Sequence, residues 1–162
     1  MDIRLAPMTR AYMHEIFQGF TYDPDTFPDM SLYEKVKDSG YDPKRAEALF
    51  DKLSGEGDRR SFAVLQGETV IGQVDLKRID PRERTCGLSI HLKNDAVKNK
   101  GYGNRAKQLA VEYAFDTLGM DRILADSVAK NRRNQRVLEK LGFLCEGKDN
   151  GFKQYKLDRA QR

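Results

Sequence analysis

The chain has 162 residues, which fits one domain, 1–162, large enough to bury a core without disulfides or metals. Hydrophobic residues make up 39% and charged residues 33%, a globular composition; the net charge of +4, from 29 basic and 25 acidic residues, is too mild for a nucleic-acid footprint to be the default reading. No apolar run approaches the roughly 18 residues of a membrane span, and the N-terminal ten residues lack a signal-peptide core, so a cytoplasmic protein that binds no membrane is expected.

In chain order, Asp2 to Ala6 reads as an edge strand closed by Pro7. Thr9 is an N-cap for a helix to about Phe17, with Met13, Ile16 and Phe17 inward. The segment 20–58 is helical or loop: a Pro/Asp loop with Phe20, Tyr22 and Phe27, a short helix capped by Ser31, and another opened by Asp42-Pro43. Strands follow at Ser61–Leu65, at Thr69–Ile79 with Val70, Gly72, Val74 and Leu76 on one face, and at 84–92. A helix over 103–118 ends at Gly119, a strand spans Arg122–Asp126, a helix spans Asn131–Leu141, and Phe143–Glu146 with Phe152–Leu157 makes a hairpin. The single crossover, from strand 84–92 through the long helix to strand 122–126, makes those two strands parallel in a mixed α+β sheet. Cys86 and Cys145 lie in apolar runs without ligand spacing and are expected as reduced core thiols, with no metal.

Ala96 to Arg105 is the pivot. An alternating strand stops, Gly101 and Gly103 pass, and a helical stripe begins, so the loop presents unpartnered amides at the positive end of a helix dipole. Such a terminus favours a phosphate, with Lys98 and Lys100 adding charge and the glycines allowing close approach and positive φ. The run Gly101 to Ala106 also fits the dinucleotide fingerprint GxGxxA, although about eight residues separate it from the strand end.

Joined to the downstream motif, this loop resembles the GNAT superfamily of acetyl-CoA-dependent N-acetyltransferases, and within it the ribosomal-protein alanine acetyltransferase branch. The family loop, (Gln/Arg)-x-x-Gly-x-(Gly/Ala), is matched by Lys98 to Gly103, with lysine in the first place. The branch's Asn-x-x-Ser, followed by Glu-Lys-x-Gly-Phe, is matched by Asn131, Glu139, Lys140, Gly142 and Phe143, with Asn134 in the serine's place. The resemblance implies a sheet of six to seven strands, splayed between 84–92 and 122–126 and flanked by helices. It also implies acetyl-CoA as co-substrate and a primary amine, a peptide N-terminus or a small molecule, as acceptor by direct attack on the thioester.

By the same resemblance, the amides of Lys100, Gly101, Tyr102, Gly103 and Asn104 would bind the diphosphate, with Lys98 and Asn99 as further coenzyme-binding residues of the same loop. Ile90 and Leu92 would pair with the pantetheine arm beside a strand bulge, and Asn131 would bond its amides while also suiting an ordinary helix N-cap. The family's tyrosine acid falls at Leu138, which leaves Asn134 to hydrogen-bond the sulfur. The family's strand glutamate falls at Thr85, and Arg105 stands where the branch has glutamate. The base is then Glu83, His91 or Asp75, or water. Asp23, Asp25 and Asp29 would draw a cationic amine to the groove. A non-catalytic acyl-CoA or nucleotide-binding module is the alternative; RNA binding through Lys98, Lys100, Arg105, Arg132, Arg133 and Arg136 is not expected, and a monomer or homodimer is.

Overall fold

Three polar side chains start the first three helices. Thr9 accepts from the Tyr12 amide, Asp29 from Ser31 and Asp42 from Lys44, each quenching an amide that has no partner within its helix. The computed structural model describes residues 2–162. Its elements are β1 (Ile3–Pro7), α1 (Arg10–Gly19), α2 (Met30–Val36), α3 (Pro43–Ser54), β2 (Arg60–Gln66), β3 (Thr69–Asp80), β4 (Thr85–Leu92), α4 (Tyr102–Glu112), β5 (Arg122–Val128), α5 (Arg132–Lys140), β6 (Leu144–Asp149) and β7 (Phe152–Asp158). The cap of α2 is thus Asp29, two residues before the expected Ser31: a carboxylate at that position reaches the first-turn amide that the serine itself supplies.

The strands form one seven-stranded sheet in the order β1-β2-β3-β4-β5-β7-β6, antiparallel except between β4 and β5. That parallel pair is short. Thr85, Cys86 and Gly87 face Arg122, Ile123 and Leu124, and there the pairing ends, although β4 runs on to Leu92 and β5 to Val128. Each strand stays paired on its other side, β4 with β3 as far as Leu92 and β5 with β7 as far as Val128, so the sheet opens into a V. The resemblance placed a bulge beside this splay in β4. The extra residue instead lies in β3, where Lys77 and Asp80 face Gly87 and Thr85 and Arg78 takes φ +49°.

A second irregularity corrects the expected face of β3. Val64 and Leu65 on β2 face Gly72 and Val70, which leaves Ile71 extra and reverses the alternation. Val70 therefore joins Ile16, Ala63 and Leu65 under α1, while Ile71, Val74 and Leu76 join the larger core under α4 with Phe115, Ile123, Tyr155 and Leu157. The long helix is also not uniform. After Glu112 it widens into one π turn over Tyr113–Thr117, which buries Ala114 and Phe115 before Gly119 stops the chain at φ +71°. Cys86 is buried, as expected, but Cys145 is exposed, because it lies on the outer strand β6, most of which is open to solvent.

Gly72 holds β3 close to β4: a Cβ there would lie 2.5 Å from the carbonyl oxygen of His91. Gly72→Ala should cost roughly 1–3 kcal/mol of stability, because that clash is with backbone and only separation of the strands relieves it. Chemical denaturation of the variant against the parent measures this.

Candidate active site

A cavity of about 280 Å³ fills the mouth of the V, lined by both strands' flanking helices and by the loop after α1. One wall is the free edge of β4. The Lys93 amide donates to Ile71 at 2.7 Å and the His91 carbonyl is directed at Gly72, so both face β3. By strand alternation the N–H and C=O groups of Ile90 and Leu92 then face the opening, while their side chains pack on the core under α4. Those backbone groups form a short template for an extended, amide-bearing ligand.

At the top of this wall stands the N-terminus of α4. Gly101 takes φ +80° and Asn99 φ +60°, which bends the loop back onto the helix, and no side chain caps the first turn. Gly103 has no such role: it is helical, and a Cβ there would make only an ordinary contact with Leu92. The side-chain oxygen of Asn104 is buried without a hydrogen-bond partner and belongs to a residue that lines the cavity. Uncapped amides, an orphaned polar atom and the nearby cations Lys98 and Arg133 suit a diphosphate.

Those cations already hold an anion. The Asp23 carboxylate lies 3.3 Å from both the Lys98 ammonium and the Arg133 guanidinium, Lys98 also meets Asp95 at 3.3 Å, and Arg133 donates to Asn99 at 2.9 Å. The remaining Asp23 oxygen accepts from the Asp25 amide at 2.9 Å. Asp29 is engaged as the α2 cap, and the hydrogen bond from the Ser31 amide holds its pKa below the usual carboxylate range. Two of the three aspartates expected to attract an amine are therefore occupied within the protein.

On the opposite face of β4, Ser89 and His91 stand beside Asp75 and Gln73 of β3. Asp75 is 3% exposed and is held by Ser61 at 2.5 Å, by Gln73 at 3.0 Å and by Arg59 at 3.3 Å. His91 borders the cavity and is exposed to it. Desolvation pushes its pKa below the ordinary 6.5, against the pull of Asp75 and with Lys77 and Lys98 adding to the drop. Its imidazole is thus neutral, and able to accept a proton, at neutral pH.

Of the residues named from sequence, Ile90, His91, Leu92, Lys98, Asn99, Gly101, Gly103, Asn104, Asn131 and Asn134 line the cavity. Lys100 and Tyr102 lie outside the lining; Tyr102 packs against the core instead. Glu83 is not brought to the site. It lies in the turn before β4, its amide bound to Asp80 at 3.0 Å, and the strand from Thr85 to His91 that separates it from the site spans about 20 Å. Asn131 caps α5 by accepting from the Asn134 amide at 3.2 Å, which leaves its own NH₂ group for the cavity. Sequence reading missed Lys107, which is 5% exposed, lines the cavity from α4 and donates to the Asn134 side-chain oxygen. Its signal is its spacing: Lys107 shares the buried stripe of Ala110 and Ala114, where a lysine is out of place.

Residues 2–144 match the family profile described as an acetyltransferase (GNAT) domain. The chain belongs to the GNAT acetyltransferase family. Acetyl-CoA is the co-substrate and N-acetyltransfer the activity that this membership carries, as expected from the loop and the downstream motif. The chain is 29% identical over 100 residues to a spermidine N(1)-acetyltransferase of Escherichia coli, a match covering 61% of the chain and 53% of that protein. It is 26% identical over 98 residues to YdaF of Bacillus subtilis, a ribosomal N-acetyltransferase by name, covering 56% and 53%. It thus spans about half the length of these two relatives. Among solved structures, spermidine N-acetyltransferase from Vibrio cholerae in complex with CoA and spermine superposes with a TM-score of 0.77 over 99% of this chain and 97% of that one, at 19% identity. That likeness is one of fold.

Replacing Asp23 by Asn removes the carboxylate that competes for Lys98 and Arg133. Acetyl-CoA affinity should rise roughly three- to tenfold in calorimetric titration at fixed ionic strength. An unchanged affinity would show that the carboxylate does not oppose the ligand's phosphates.

Proposed function

We propose that residues 1–162 form one acetyltransferase domain that moves the acetyl group of acetyl-CoA to a primary amine, either a small molecule or a peptide N-terminus, by direct attack on the thioester. The observation that carries this reading is the V-shaped cleft, with a free strand edge on one wall and an uncapped helix N-terminus at its top. The free edge of Ile90 and Leu92 suits the two amides of pantetheine, and the amides of α4 with Lys98 and Arg133 suit the diphosphate. The NH₂ group of Asn131 faces the same arm from α5.

Bound here, acetyl-CoA supplies an activated acyl group whose leaving thiol has an ordinary pKa of about 8.5, so the protein's tasks are to orient the amine and to move protons. His91 is the residue best suited to take a proton from the amine: it borders the cavity, and desolvation keeps it neutral. The relatives support both acceptor classes, one being named for spermidine and another for the ribosome. A monomer or homodimer is the assembly proposed with this reading. Two unpaired cysteines suit the reducing cytoplasm, and among the described residues no helix is long and apolar enough to cross a membrane.

Release of free thiol from acetyl-CoA, followed across a panel of polyamines, other small amines and peptides with free N-termini, tests the reading; no thiol above the acceptor-free rate with any of them would sink it. With the best acceptor, kcat/KM should fall toward acid through an apparent pKa below 6.5, and His91→Gln should lower kcat on the order of a hundredfold or more and abolish that limb.

A further inference from the structure

Three cations border the cavity, and they are not equivalent. Lys98 and Arg133 share the Asp23 carboxylate at its mouth. Lys107 projects from α4 five residues beyond Tyr102, about 7 Å further along the helix than the diphosphate amides. It is almost wholly buried, and its one hydrogen bond runs to the neutral amide of Asn134 on α5, across the opening of the V. Among the described residues no carboxylate pairs with it.

A buried ammonium without a counter-charge is costly unless an anion arrives. The coenzyme's diphosphate is already served at the mouth, and the pantetheine amides are neutral and have the β4 edge and Asn131 to bond. The atom of this reaction that turns anionic inside the cleft on release is the sulfur. The α5 residues that border the cavity, Asn131, Arg133, Asn134 and Val137, include none that gives up a proton near neutrality, and Leu138 is 1% exposed and apolar.

We infer that Lys107 donates the proton that the coenzyme sulfur takes up as the acetyl group leaves. This rests on the acetyl-transfer reading above. The amine nitrogen forms the new bond to the acetyl carbon and loses one proton, through His91, to solvent; the carbon–sulfur bond breaks with its electron pair on sulfur. The Lys107 ammonium protonates that thiolate and recovers a proton from water. Asn134 acts as a positioning residue, its oxygen orienting the ammonium. Burial lowers the pKa of Lys107 to about 8, close to that of a thiol, which makes the proton transfer nearly balanced in energy.

The test reads the thiol of bound CoA in the absence of any acceptor, by ultraviolet titration of the thiolate as a difference from each protein without CoA. Near pH 8 the parent protein should hold about threefold more of its bound CoA as thiolate than Lys107→Met, an apolar exchange suited to the buried stripe. Lys107→Arg should also favour the thiolate but lose turnover, since a guanidinium keeps its proton. Identical titrations in the parent and Lys107→Met, with CoA bound by both, would overturn the inference and leave the acetyl-transfer reading standing. Loss of CoA binding in both variants would make Lys107 a residue that holds the coenzyme and overturn its role as donor. No CoA binding by the parent would remove the acetyl-transfer reading itself. An acetyl group found on Lys107 by mass spectrometry after incubation with acetyl-CoA alone would make the lysine a nucleophile, which also overturns the inference.

Discussion

Backbone polar groups inside a protein must find partners, and the pairing of β4 with β5 supplies them for only three residues. Beyond Gly87 the two strands separate while each remains paired with a neighbour on its outer side, so the gap is built into the pairing of the sheet. The exposed edge of β4 is thereby held ready for a ligand with amides of its own. The rest of the site follows from that geometry: a loop of nine residues leads from β4 into α4 and one of three from β5 into α5, and the helices bring their N-terminal turns to the two lips of the same opening.

Charge is distributed through the cleft by depth. At the mouth two cations, Lys98 and the more exposed Arg133, are balanced by the partly buried Asp23 carboxylate. Further in, Lys107 has only an amide beside it, and desolvation rather than a neighbouring charge governs its proton. His91, on the other face of β4, is shifted by the same force with the opposite chemical result, since loss of hydration favours its neutral form.

Most of the architecture was legible because it is written in short-range patterns. The alternation of Cys86, Leu88 and Ile90, the stripe of Ala106, Ala110 and Ala114, and the stop signals Gly119 and Gly142 all specify their elements locally, and the glycine at 101 marks the positive-φ turn that starts α4. What escaped depends on events that such patterns do not encode. The extra residue at Ile71 shifts Val70 to the other face, and nothing in a run of apolar β-branched residues distinguishes a bulge from a regular strand. Glu83 was a candidate because it is near His91 in sequence, yet an extended strand turns eight residues into the width of a domain. Asp23 reads as a solvated loop residue until the fold brings Lys98 and Arg133 to it. Lys107 was visible as an anomaly on a buried face, but its value depends on Asn134, 27 residues away.

The far wall of the cleft, β5, is held beyond Leu124 by β7, the last strand of the sheet to be made. A nascent chain emerging from the ribosome has β4, its loop and α4 in hand well before β7 appears, and so holds one wall of the cleft while the opposing lip still lacks its support. The opposing wall is therefore fixed only once β7 has been made, by pairings between segments distant in sequence, and a chain cut before Phe152 would retain the Gly101 loop without a supported wall across from it.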